Sequence, residues 1–127
     1  MREKYAAVID PDGSLGFPVD VTADLRGRKF GLLLSCGPDR PGFQQGVKLA
    51  ATAMGRGLDA YLYCLDDAVA GVGDAALQEL RASGLKLYAC AYGAQQRGLP
   101  VDDRATYVGL TVLSDMFAST ERMVSFN

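Results

Sequence analysis

The sequence predicts a single α/β domain on a mostly parallel sheet with helices on both faces. From Lys29 onward, short apolar runs alternate with segments of helical period, the pattern of buried parallel strands joined by crossover helices. Cys36, Cys64 and Cys90 recur 28 and 26 residues apart, close to one strand–helix repeat. A chain of 127 residues, 49 % of them hydrophobic, can bury a core of its own.

Residues 1–28 stand apart as an amino-terminal extension, and 29–127 form the domain proper. In the extension, "KYAAVID" and "LGFPVDV" flank Pro-Asp-Gly, a turn sequence in which proline presets φ and glycine tolerates positive φ. It reads equally as a β-hairpin, serving as an edge or an oligomer arm, and as a frayed terminus. In the domain, strands are expected at 29–36, 59–65 and 85–91, a fourth in "TYVG" and a fifth in "RMVSF", in the order 2-1-3-4-5. A first helix places Phe43, Val47, Ala50, Ala51 and Met54 inward and stops at "GRG". A second turns Leu77 and Leu80 inward and ends near Gly84; a short third follows Cys90; a last one presents Leu110, Leu113 and Phe117 on one face. Val112, Met116, Met123, Val124 and Phe126 crowd apolar surface into the carboxyl-terminal segment, which predicts self-association.

Composition excludes several functions. With thirteen basic and fifteen acidic residues and no basic stripe, no nucleic-acid partner is expected. No signal peptide or membrane-spanning run is seen, so no membrane role and a cytoplasmic location are expected. With no histidine, Cys-His dyads, Ser-His-Asp triads and HExxH zinc sites are out. The three cysteines contain no CxxC pair, so they read as reduced, independent thiols, and a three-thiolate metal site lacks the paired spacing it would need. No metal and no cofactor are expected.

Other motifs reduce to punctuation. "GPDRPGFQ" sits where a phosphate loop would, without its Gly-Lys-Ser/Thr ending. "GRGLDA" and "GVGDAA" match GxGxxA but read as turns. Asp66, Asp67, Asp102 and Asp103 read as solvated turn residues.

Cys90 is the informative residue. It stands where the strand "GLKLYAC" gives way to the helix-like "AYGAQQRGL", and there backbone N–H groups and the helix dipole favour a thiolate, the sulfur nucleophile. Cys36 falls at the same carboxyl edge, where open α/β sheets gather their ligands, and Cys64 lies slightly deeper. Arg97, seven residues after Cys90, would share its helix face at roughly 10 Å along the axis, too far for a direct ion pair. It can still help hold an anionic sulfur substrate.

"KFGLLLSCG", "DAYLYCLDDAV", "LQELRASGLKLYACAYGAQQRGL" and "SDMFASTERMVSF" together resemble the DsrE/DsrF-like family of sulfur-relay proteins, over about residues 29 to 126. The most specific piece is the third strand ending in Cys90, followed by "RGL" at 97–99. The resemblance implies a three-layer α/β/α sandwich with a five-stranded sheet, a tendency to form trimers or hexamers, and a catalytic cysteine at Cys90 that takes up a persulfide sulfur and passes it on. Cys36, Cys64 and the extension lie outside the relay motif.

The expected function is therefore sulfur relay. Cys90 carries sulfane sulfur between a donor and an acceptor protein, with Arg97 and Cys36 as substrate-binding candidates. The alternative is a noncatalytic oligomeric scaffold of the same fold, binding a small ligand or a protein. A thiol-peroxidase or redox-sensing role lacks the CxxC pair or histidine expected beside Cys90.

Overall fold

The computed structural model describes Tyr5–Ala6, Val19–Asp20 and residues 25–127. β1 (Tyr5–Ala6) and β2 (Val19–Asp20) pair antiparallel, Tyr5 opposite Asp20. The Pro-Asp-Gly turn proposed between them lies outside the described residues.

The main sheet comprises β3 (Lys29–Leu34), β4 (Asp59–Cys64), β5 (Lys86–Cys90), β6 (Thr106–Val108) and β7 (Arg122–Phe126). All its pairings are parallel, in the order β6-β5-β4-β3-β7. The expected order 2-1-3-4-5 is thus wrong: the second, third and fourth strands step outward on one side of the first, and the fifth closes the other side. Apolar periodicity reports that a strand is buried and is silent on its neighbour, so pairing had to come from the fold.

The order determines where the helices go. Three steps in one direction, joined by right-handed crossovers, put α1 (Pro41–Gly55), the 3-10 segment Asp66–Gly71, α2 (Ala75–Ala82) and α3 (Ala91–Gln96) on one face. The return from β6 across the whole sheet to β7 reverses direction and carries α4 (Leu110–Ser119) over the other face. On the first face the sheet contributes Leu32, Leu34, Leu62, Leu87 and Ala89, and the helices contribute Phe43, Val47, Ala50 and Leu77, all buried. Gly46 and Gly71 allow this closeness. A Cβ at Gly46 would lie 2.3 Å from Leu34 Cδ2, and one at Gly71 would lie 2.4 Å from Phe43 Cζ.

Helix starts and stops follow local chemistry. Pro41 opens α1, the Asp74 carboxylate caps α2 by accepting from Leu77 N–H at 3.2 Å, and Gly57 (φ +82°) and Gly84 (φ +120°) take the left-handed turns after α1 and α2. "GVGDAA" is therefore the cap of α2. Two assignments of facing are corrected. In α1 Ala53 is buried and Ala51 exposed, while α4 buries Met116 and leaves Leu110 58 % and Phe117 55 % exposed. One ten-residue helix spans the second face, so Tyr61 and Tyr88 there stay half-buried.

Candidate functional site

Cys90 is the last residue of β5 and the residue that caps α3. Its Sγ accepts the Gly93 N–H at 3.3 Å, and the residue is 4 % exposed. This is the geometry the sequence implied: an extended residue whose side chain folds back over the first turn of the helix it begins.

Sequence reasoning missed Tyr63. Tyr63 pairs with Tyr88, and Cys90 lies two residues beyond Tyr88, so strand alternation puts all three on one face of the sheet. The Tyr63 hydroxyl donates to Gly109 O at 3.3 Å. Burial first, then the neighbouring Cys90 sulfur, push the phenol well above its ordinary pKa. The phenol thus stands beside Cys90 with its proton on the Gly109 carbonyl. The signal that could have found it was register, which one sequence does not encode.

Arg97 is engaged by Asp67 and Gly93. Its Nε and Nη2 donate to Asp67 Oδ1 at 3.2 and 3.0 Å, and its Nη1 donates to Gly93 O at 3.4 Å. The guanidinium thus ties α3 to the 3-10 segment. Asp66, immediately before Asp67, has φ +52°, a left-handed conformation uncommon for any residue but glycine.

Cys36 lies two residues past the end of β3, in the loop before α1, rather than in the strand. It shares a face with Leu34, and Leu34 pairs with Cys64, so Cys36 and Cys64 are on the α1 side of the sheet. Cys90, by the same alternation, points to the α4 side. The three thiols therefore do not converge, and Cys36 is not brought to Cys90. Among the described residues, no three cysteine or carboxylate groups are arranged to hold a metal. Cys64 is fully buried, and burial, followed by the charge of neighbouring Cys36, pushes its thiol up to about 12.

The carboxylates divide. Asp102 accepts from Arg104 N and Nε at 3.0 Å, and that guanidinium holds its carboxyl below the usual range, as befits a structural turn. Asp67 lines an open cleft of about 390 Å³ together with Ser35, Cys36, Gly37, Arg40 and Asn127. No helix among the described residues is long and apolar enough to cross a membrane.

No family model matches the sequence, and no curated protein matches it. Among solved structures, the crystal structure of the ychN protein from E. coli matches with a TM-score of 0.65 and 18 % identity, over 79 % of this chain and 99 % of that one. At that identity the likeness is one of fold: an α/β domain built on a five-stranded parallel sheet.

Proposed function

We propose that the protein is a cytoplasmic sulfur carrier that holds sulfane sulfur as a Cys90 persulfide between a donor and an acceptor protein. One observation carries this reading: Cys90 ends a parallel strand at the carboxyl edge of the sheet, with the Gly93 N–H on its sulfur and the Tyr63 phenol beside it. In the forward step the Cys90 thiolate attacks the outer sulfur of a donor persulfide. The new S–S bond forms at Cys90, the donor's S–S bond breaks, and the donor leaves as a thiolate. The Gly93 N–H donates to the sulfur, and the transfer needs no imidazole. A reducing compartment suits three unpaired thiols.

The protein acts as a homo-oligomer, a trimer or hexamer. Support comes from the α4 face, where Leu110 and Phe117 are exposed over a sheet whose Tyr61 and Tyr88 are only half-covered. Light scattering at micromolar concentration should give a multiple of the chain mass, and a strict monomer would remove this element.

A second reading has its own observation. Cys90 is only 4 % exposed, which suits a noncatalytic scaffold whose cysteine is a packing residue. Intact-protein mass spectrometry after exposure to a persulfide donor separates the two. One added sulfur, mapped to the Cys90 peptide, supports the relay; an unmodified Cys90 supports the scaffold.

A further inference from the structure

The cleft around Cys36 is a second thiol site, on the opposite face of the sheet from Cys90, and the inference about it does not depend on the relay reading. We infer that it binds small zwitterionic disulfides, with a carboxylate and an ammonium group, and takes half of the molecule onto Cys36 as a mixed disulfide.

Four observations combine. Cys36 has the highest exposure of the three cysteines, at 7 % against 4 % and 0 %, and it lines the cleft. Its thiol makes no hydrogen bond among the described residues. The sulfur lies against the first turn of the fifteen-residue α1: a Cβ at Gly42 would stand 3.1 Å from Cys36 Sγ, and that first turn has neither an acidic residue nor a side-chain cap. The amino-terminal end of a long helix therefore faces the sulfur, with Asn127 O against the same turn.

The walls supply recognition of both signs. The Arg40 guanidinium has no partner among the described residues and offers a planar donor to a carboxylate. On the same lining, Asp67 uses only Oδ1 toward Arg97, and its side chain is 73 % exposed, leaving Oδ2 for an ammonium group. Ser35 Oγ donates to Asn127 Oδ1 at 2.7 Å, which brings Asn127 to the rim. A volume of about 390 Å³ suits a molecule with the bulk of one or two amino acids.

The chemistry balances without an added oxidant. The Cys36 thiolate attacks one sulfur of the disulfide, a new S–S bond joins Cys36 to that half, and the old S–S bond breaks. The other half leaves as a thiolate and takes up the proton that Cys36 gave up. Cys36 is oxidised and the departing half is reduced.

The test uses three disulfide probes on the whole chain, read by intact mass and peptide mapping: cystine, dithiodiglycolate with carboxylates only, and uncharged 2-hydroxyethyl disulfide. Cystine should add one half-molecule on the Cys36 peptide and react several-fold faster than 2-hydroxyethyl disulfide. Cys36→Ser, with native circular dichroism, should take up none. Arg40→Ala should slow cystine several-fold and leave 2-hydroxyethyl disulfide unchanged, while Asp67→Asn should narrow the preference for cystine over dithiodiglycolate. Adducts mapped to another cysteine, or equal rates for cystine and the uncharged probe, would overturn the inference, as would an Arg40→Ala variant that slows neither probe.

Discussion

The junctions at Cys36 and Cys90 share one design, a cysteine between a parallel strand and the helix after it, yet they present their sulfurs to different surroundings. At Cys90 the residue belongs to the strand, its sulfur caps a six-residue helix through the Gly93 N–H, and a buried phenol stands beside it. At Cys36 the residue has left the strand, its sulfur leans on a fifteen-residue helix, and charged groups of both signs open to solvent in front of it. The difference comes from two residues of chain. A cysteine on the final ladder position inherits the strand's packing, whereas one two residues later inherits the loop's access.

The sharpest way to break this comparison is to remove each sulfur in turn. Cys90→Ser should reduce uptake from a persulfide donor to background, with a stability cost of about 1 kcal/mol, because the serine Oγ can still accept the Gly93 N–H. Full loading in that variant, or loading that has moved to the Cys36 peptide, would exchange the roles of the two junctions.

The next effect tests the third thiol, which neither junction uses. The Cys64 thiol in the fold is pushed up to about 12 from an ordinary value of 9.0, so between those values the unfolded chain releases a proton that the folded chain retains. Stability should therefore be intact below about pH 9 and fall by about 1.4 kcal/mol per pH unit as pH rises toward 12. Denaturant melts at rising pH would show this slope, and Cys64→Ala should flatten it. An equally steep slope in the variant would place the alkaline sensitivity elsewhere.

A finer test exploits the glycine facing each sulfur. Gly42→Ala would put a methyl 3.1 Å from Cys36 Sγ and 3.3 Å from Asn127 O, so the sulfur must shift and its alkylation rate should change several-fold. Gly93→Ala meets Cys90 Cβ and Val69 Cγ2 at 3.4 Å, ordinary contact, and retains the backbone N–H, so Cys90 alkylation should hold within about twofold. Parallel responses would mean that the two sulfurs are not differently packed. The smallest expected effect is that of Arg97→Ala, which breaks a largely exposed pair with Asp67 and should cost less than about 1 kcal/mol in thermal or denaturant unfolding.

The sequence made much of this legible, for reasons specific to each element. "GLKLYACAYGAQQ" announced a strand running into a helix because period two gives way to helical composition at Cys90, and the structure ends β5 at that residue. Gly57 and Gly84 marked helix ends because their positive φ favours glycine. Tyr63 beside Cys90 and Asp67 beside Arg40 stayed hidden because each depends on register or on a loop path. Leu110 and Phe117 misled because an apolar stripe on a helix looks alike whether its own sheet or another surface covers it.

The placement of β7 has a consequence for how the molecule is made. β3 is the first strand of the main sheet to be synthesised, and it has β4 on one side soon afterwards, but its other side must wait for Arg122–Phe126. During synthesis a half-finished sheet therefore presents an open row of backbone donors and acceptors along Leu32–Leu34, able to pair with a neighbouring nascent chain. Slow translation of codons 122–126 should prolong that exposure, and a peptide copying residues 122–126 supplied in trans should shorten it.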